Sequence, residues 1–320
     1  VTPTTEALVV LALTAAADVL LGEPPVPLHP VVWIGSAQRA LAARAPRRPA
    51  GPAFLAGLAL AVVGPAAVFA LAWVAVHALS AQPVTRVVVE VYLLKGSSSL
   101  RMLGGCALAV ERALGDGLDA AREALRSLVS RDTSRLPAPL LRAAAVESVA
   151  ENASDSWVAP LVFFAVGGVP AALAYRAANT LDSLVGYRGE LEWLGKAGAR
   201  LDDALNFVPA RLAALLVAMA AFAARPFVAS DGVEALRVAW RDGGATASPN
   251  AGWPMAAMAG ALGLELEKVD HYVLGRGGRA PVEGDIRRAV VLLGLVGGLA
   301  LVVAGALAAA RIALVAAVAR

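Results

Sequence analysis

Residues 53–79 read AFLAGLALAVVGPAAVFALAWVAVHAL, with no Asp, Glu, Lys or Arg anywhere in the run. A bilayer is crossed by a helix of roughly 20 apolar residues. In hydrocarbon every backbone polar group must be satisfied internally, which leaves a helix as the natural solution for such a segment. Further apolar runs lie at 7–22, 157–175, 206–224 and 289–310, with Asp18 in the first and Arg211 in the third. Hydrophobic residues make up 58% of the 320 and charged residues 17%, against roughly 45–50% and about 25% in soluble domains. The apolar mass is mostly Ala, Leu and Val, and small residues suit close helix packing in lipid. The expected fold is all-α: a polytopic membrane helix bundle with amphipathic or re-entrant segments and polar loops. Residues 1–320 are read as a single integral membrane domain. The expected location is the cell (inner) membrane, multi-pass, with the lipid bilayer as an obligatory partner.

The first run, 7–22, contains Asp18 and has no Lys or Arg before Arg39. A secretory signal needs a basic start and a small-residue cleavage site, so this run is read as a membrane or buried helix. Residues 84–110 mix apolar residues with Glu90, Lys95 and Arg101 and are expected to form a helix lying against the bundle, with amphipathic character over 84–135. Pro65 falls inside a span, where neighbouring groups can satisfy the freed carbonyl. Arg39, Arg44, Arg47 and Arg48 mark 36–52 as a cytoplasmic segment. Simple alternation then puts 176–205 outside, against its own Arg176, Arg188, Lys196 and Arg200; a half-buried or re-entrant segment resolves the conflict. The net charge of +3 fits basic loops of a membrane protein. No clustered basic and aromatic footprint points to nucleic acid. Cys106 alone excludes an internal disulfide, and His29, His77 and His271 lie far apart.

Between these runs lie the residues that carry chemistry. In AVESVAENASDSWVAPLVFF (145–164), Glu147, Glu151 and Asp155 recur at intervals of four. On a helix they share one stripe, with Ser148 and Asn152 beside them and Val146, Val149, Ala150 and Ala153 opposite. Three acids in register repel one another by a few tenths of a kcal/mol per pair, and a bound cation would remove that cost. A solvated face, with Ser154 or Asp155 capping a span that starts near Trp157, is the plain alternative.

A second cluster spans 175–211. Asn179, Asp182 and Ser183 are helical neighbours; Asp202 and Asp203 precede Asn206 by about one turn; Lys196, Arg200 and Arg211 flank them. Acids at membrane depth are costly and usually mark a site. Oxygen donors suit Mg²⁺, and cations beside them suit phosphate groups. Interhelix salt bridges are the structural alternative. GELEWLGKA (189–197) is not a phosphate-cradling loop: its spacing is one residue too long and Ala197 replaces the required hydroxyl. In ASPNAGWPMAAMAGALG (247–263) a tight turn feeds a small-residue helix, with Pro254 suited to the first helical position. Asn250 and Trp253 offer an amide and an aromatic face to a flat ligand. LGEPPVPLHPVVWIGS (21–36) is a proline-stiffened loop carrying His29, more often a structural histidine than a catalytic one. Arg131 or Arg135 in SRDTSRL (130–136) offers a phosphate ligand.

RDTSRL, ESVAENASDSWVAPL, YRAANTLDSLVGYR, GKAGARLDDALNFVPARL and SPNAGWPMAAMAGALG occur in this order. Together they resemble the CbiB/CobD family, the adenosylcobinamide-phosphate synthases of cobalamin biosynthesis, over nearly the whole chain. The resemblance implies an ATP-dependent amide ligase joining the free propionate of adenosylcobyric acid to aminopropanol or its O-phosphate, giving adenosylcobinamide or its phosphate. It implies Mg²⁺ and ATP, with Asp155, Asp182, Asp202 and Asp203 as metal ligands and one of Glu147, Glu151, Asp155 and Asp182 as the base. Arg131, Lys196, Arg200 and Arg211 would face phosphate. Asn152, Asn179, Asn206, Asn250, Trp253 and His29 would face the corrinoid. Other membrane enzymes of cobalamin assembly and a further copy of the chain are the macromolecular partners it suggests. Glu23, Ser130 and Met255 depart from the family pattern, Met255 at a position where an acid is usual. Two rival readings remain: a corrinoid transporter or binding protein using its acids as an ion relay, and an intramembrane Mg²⁺-dependent prenyltransferase. For the latter, NTLDSLVGY has the right flavour but Gly186 stands where a further acid is wanted.

Overall fold

The computed structural model describes residues 2–187 and 189–318 and is almost entirely helical. Twelve helices follow one another among the described residues. They are α1 (Pro3–Leu21), α2 (Pro30–Arg44), α3 (Ala50–Ala78), α4 (Pro83–Ser97), α5 (Arg101–Asp116), α6 (Leu118–Leu125), α7 (Ala138–Ala153), α8 (Ala159–Val185), α9 (Glu192–Ala224), α10 (Gly232–Asp242), α11 (Gly252–Leu262) and α12 (Asp285–Val318). Proline opens several of them: Pro3, Pro30 and Pro83 sit in first turns, where a missing N–H costs nothing. Between α11 and α12 a small antiparallel hairpin pairs β1 (Leu266–Lys268) with β2 (Tyr272–Leu274).

Five helical runs are long and apolar enough to cross a membrane: Pro3–Leu21, Ala50–Ala78, Ala138–Val185, Glu192–Ala224 and Asp285–Val318. They overlap the apolar runs at 7–22, 53–79, 157–175, 206–224 and 289–310. Helix α3 shows the logic of a lipid-facing surface. It buries only Ala53, Gly57, Ala61, Ala72 and Val76, while Leu55, Val62, Val63 and Leu71 are 58–71% exposed. Small residues face protein and let backbones approach; large ones face outward, where hydrocarbon replaces water.

The chain divides into two units interleaved along the sequence. The first holds 1–99, 159–206 and 301–320; the second holds 100–158 and 207–300. In the first, α2, α3 and α4 all pack on α8, and α1 packs on α4. In the second, α5, α6, α11 and β1 pack on α7, and α10 packs on α11. Two further approaches in the first unit, both involving α9, forbid any side chain. A Cβ on Gly57 would stand 2.0 Å from the Leu194 carbonyl oxygen, and one on Gly195 would stand 1.9 Å from that of Val185.

Several local expectations are corrected. Residues 84–110 are not one helix: α4 ends at Ser97, where Ser97 and Ser98 turn their hydroxyls back onto the Leu94 carbonyl. The polar stretch 225–288 is built into α10, α11 and the hairpin. Pro254 is the third residue of α11, not the first. No helix starts at Trp157, so neither Ser154 nor Asp155 caps one. The helix runs on from α7 through a π-turn at Ser154–Val158 into α8. A π-turn holds one residue too many for the α register, and Asp155 lies within it, whereas Glu147 and Glu151 lie on the regular α7. Nor is the acidic stripe a solvated face: residues 143–150 are all buried, Glu147 and Ser148 with the apolar Val146, Val149 and Ala150.

Helix α8 is itself broken. Gly167 and Gly168 leave helical geometry, with φ +69° at Gly168, and Pro170 follows. Proline has no N–H for the carbonyl four residues earlier, here Val166. Arg311 of α12 donates to that oxygen at 3.1 Å. Irregular backbone within an apolar span survives where protein groups re-satisfy it, and Arg311 does so here.

Candidate functional site

Each unit carries a polar cluster. In the first unit the cluster lies between α8 and the first half of α9. Tyr175, Arg176, Asn179 and Asp182 come from α8; Asp202, Asp203 and Asn206 come from α9. The Asn179 amide joins the helices: its Nδ2 donates to Asp202 Oδ1 at 3.2 Å, while its Oδ1 accepts from Arg176 at 2.9 Å. Tyr175 donates to Asn206 Oδ1 at 2.8 Å, and both are buried. Arg200 lies 3.6 Å from Asp203. The charges of Asp202 and Asp203 act on Asp182. Lys196 is exposed, 4.0 Å from Glu192 and over the Trp193 ring.

In the second unit the acidic stripe of α7 is covered rather than solvated. Glu147 is 4% exposed and its Oε2 accepts from Arg131 Nη2 at 3.1 Å. Glu147 Oε1 and Arg131 Nε are buried without hydrogen-bond partners. The hairpin places Lys268 and Tyr272 opposite one another in register, with Asp270 at φ 61° in the connecting turn. The Lys268 charge reaches Glu147. Burial, followed by the charges of Glu147 and Glu151, pushes the Tyr272 phenol above its usual range. The Tyr272 hydroxyl lies 3.9 Å from the buried Met255 Sδ. Asn152 donates back to the Ser148 carbonyl at 2.9 Å.

Elsewhere in the same unit Arg211, Asn250 and Trp253 come together. Arg211 donates to Asn250 Oδ1 at 2.6 Å and to the Pro249 carbonyl at 3.2 Å. Its guanidinium stacks on Phe207 and Trp253 at 3.9 and 4.8 Å from the ring centres. Arg211 therefore clamps the 247–253 turn.

His29 sits in a third constellation, in the first unit. Its Nε2 lies 3.2 Å from Glu23 Oε2. Lys95, 4% exposed, reaches Glu23 at 2.7 Å, Asp18 at 3.1 Å and the Ser98 carbonyl at 3.0 Å. Burial pushes the Glu23 carboxyl up, but the hydrogen bonds from His29 and Lys95 outweigh it and hold it below its ordinary range. Asp18 and Glu23 were visible as acids beside an apolar run. Lys95, 72 residues from Glu23, was not readable as their partner. Lys268 and Tyr272 were also missed, because EKVDHYVLG carries no signal that a hairpin folds onto α7.

The four acids proposed as metal ligands thus divide, Asp182, Asp202 and Asp203 in one unit and Asp155 in the other. Among the described residues no group of three or more His, Cys, Asp or Glu is arranged to hold a metal ion by itself. The donor set still fits Mg²⁺, which takes one or two carboxylates and leaves its other positions to water and substrate phosphate.

Long apolar helices enclosing charged, hydrogen-bonded clusters define a multi-pass membrane protein with ionisable groups held inside it. The sequence model of the "CobD/Cbib protein" family matches residues 11–317, and the chain belongs to that family, whose members serve cobalamin biosynthesis. It is similar to the cobalamin biosynthesis protein CobD of Dehalococcoides mccartyi, 43% identical over 90% of this chain and 93% of that protein. The CobD of Photorhabdus laumondii is 41% identical over 86% of each. The probable CobD of Methanothermobacter thermautotrophicus is 40% identical over 83% of this chain and 86% of its own length. No solved structure matches the chain.

Proposed function

We propose that this chain is the amide ligase of its pathway, joining the carboxylate of adenosylcobyric acid to aminopropanol or its O-phosphate at the expense of ATP. The observation that carries the reading is the pairing of acids with cations and carboxamides in both clusters of a CobD-family membrane protein. A carboxylate is a poor acyl donor and an ammonium a poor nucleophile, so such a ligase must neutralise phosphate charge and remove a proton. Asp182, Asp202 and Asp203 would hold Mg²⁺, which would supply charge neutralisation at nucleotide phosphates. Lys196 and Arg200, both exposed, with Arg200 3.6 Å from Asp203, would face the phosphate oxygens. Glu147, buried beside Tyr272 and Lys268, would take a proton from an ammonium. Within the second unit, Asn152 would pair with the corrin's amide rim, and Arg211 would hold Asn250 and Trp253 in position for it.

The prenyltransferase alternative wants an acid at 186, where a Cβ would meet the Asp182 backbone oxygen at 2.6 Å. The transporter alternative predicts corrinoid binding with no covalent product. The test is the purified chain in nanodiscs with adenosylcobyric acid, the amine and Mg²⁺-ATP, followed by mass spectrometry of the corrinoid and chromatography of the nucleotide. A new amide with one nucleotide cleaved per product supports the ligase. Corrinoid bound and unchanged, with nucleotide intact, sinks it.

A further inference from the structure

At the start of α3 a lipid-facing helix meets an unbalanced charge. Residues 36–52 hold Arg39, Arg44, Arg47 and Arg48, and no Asp or Glu occurs anywhere from Pro24 to Val89. All four arginines are exposed. Helix α3 begins at Ala50, and Leu55 is the first large apolar side chain that it exposes. Five residues of helix rise about 7.5 Å. Arg47 and Arg48 therefore fall where hydrocarbon gives way to headgroups, a layer roughly 5–8 Å deep on each side of the bilayer. Leu55, Leu58 and Val62, all exposed, continue from there in steps of three and four, as one apolar stripe down the helix.

Packing adds aromatic residues to the same corner. Ala42 of α2, Ala61 of α3, Leu181 and Val185 of α8 and Leu194 of α9 share one buried cluster, which brings the turn from α8 to α9 beside the start of α3. That turn and the helix it opens expose Tyr187 by 53% and Trp193 by 44%. Such rings collect at headgroup level, being apolar at one end and polar at the other. The turn also carries Glu190, 3.2 Å from Arg47 in a pair whose side chains are 76% and 57% exposed. So exposed a pair is held weakly and yields readily to another anion. Arg44 donates one N–H to the Ala40 carbonyl of its own helix, of the five that a guanidinium carries.

A basic loop orients a chain in the membrane by the number of its cations alone. Cations gathered beside a span, among exposed rings, do more: they recognise anionic lipid. We propose that the rim formed by Arg44, Arg47 and Arg48 with Tyr187 and Trp193 binds the headgroups of anionic phospholipids. The arginine forks take the phosphate oxygens, and the acyl chains lie on the Leu55–Leu58–Val62 stripe. A soluble phosphate satisfies only the arginines, whereas a phospholipid covers the cationic rim and the apolar stripe together. None of these residues is among those assigned to the amide-forming reaction.

The test takes the full chain, purified in a non-ionic detergent. Phosphatidylglycerol and phosphatidylcholine with identical acyl chains are added in equal amounts, and native mass spectrometry counts each bound lipid. A basic side chain near an anionic surface is worth about a fivefold preference. The wild type should favour phosphatidylglycerol by about tenfold or more. Arg47→Gln with Arg48→Gln should cut that ratio at least about fivefold, with the helical circular dichroism unchanged. Arg225→Gln with Arg276→Gln, which removes two exposed arginines of the second unit, should leave the ratio as it was. In nanodiscs, replacing phosphatidylcholine by phosphatidylglycerol should raise the thermal unfolding midpoint of the wild type more than that of the Arg47/Arg48 variant. Equal binding of the two lipids by the wild type overturns the proposal, and so does a ratio unchanged in the Arg47/Arg48 variant. An equal fall in both double variants would mean that bulk charge alone attracts the lipid, and also overturns it. Displacement of phosphatidylglycerol by millimolar inorganic phosphate would make the rim a site for soluble anions and refute the lipid assignment.

Discussion

At the residue scale the pairing of Arg131 with Glu147 sets the stakes. Removing one partner of a buried pair leaves an uncompensated charge and costs about 3–5 kcal/mol, whereas removing both costs far less. Arg131→Met should therefore lower the thermal unfolding midpoint strongly, and adding Glu147→Leu should restore most of the loss. If the double variant is as unstable as the single, the pair is not the reason. Glu23 makes a pH-dependent contribution of known sign. Its folded pKa is depressed, first resisted by burial and then overcome by His29 and Lys95. The stabilisation is present above the ordinary carboxylate value of roughly 4.3 and is lost as pH falls through the lower folded value. The stability gap between the wild type and Glu23→Gln should be open at pH 7 and close below about pH 4. A gap unchanged down to pH 3 would contradict it.

Elements are governed by backbone approach and by what replaces lost hydrogen bonds. Gly195 has no room for a methyl against the Val185 carbonyl, while Gly105 in α5 has nothing within 4 Å of the equivalent point. Gly195→Ala should cost several kcal/mol and most of the folded yield. Gly105→Ala should be neutral or stabilising by about 0.5–1 kcal/mol, the ordinary helix preference; fluorescence-detected chromatography after heating reads both. The broken α8 depends on Arg311 satisfying the Val166 carbonyl. Hydrogen bonds from charged groups contribute about 1.5–3 kcal/mol, and Arg311→Met should lose that much. The break itself was foreshadowed by GGVP at 167–170. Its repair from α12, 145 residues away, was not. The hairpin is similar: DHYVLG reads as polar loop, and only folding shows that Lys268 and Tyr272 land on the acid stripe.

For the whole molecule, two interleaved units each hold acids of the proposed chemistry, so substitutions in either should be felt in the reaction. If Asp182 helps hold Mg²⁺, Asp182→Asn should raise the Mg²⁺ concentration needed for half-maximal amide formation about tenfold or more. Glu147→Gln should instead reduce the maximal rate about 100-fold without moving that requirement. A Mg²⁺ titration of the two variants separates the roles, and identical titrations would refute the division of labour.

Membrane character and the helical class were legible in the sequence, because burial in lipid demands long charge-free runs and every one of those runs is local. The family was legible from motifs in fixed order. Glu147, Asp182, Asn179 and Asp202 stood out because acids and amides are costly beside apolar helices. Partnership was not local and could not be read: Lys95 with Glu23, Arg131 with Glu147, Arg211 with Asn250, Arg311 with Val166. Each pairs residues that the chain separates and only packing brings within 3.2 Å. The π-turn at Ser154–Val158 was equally hidden, since the four-residue spacing of the acids fits an unbroken α-helix. Hydrophobicity is a property of a segment and survives without a fold, whereas a site is a set of distances and exists only after folding.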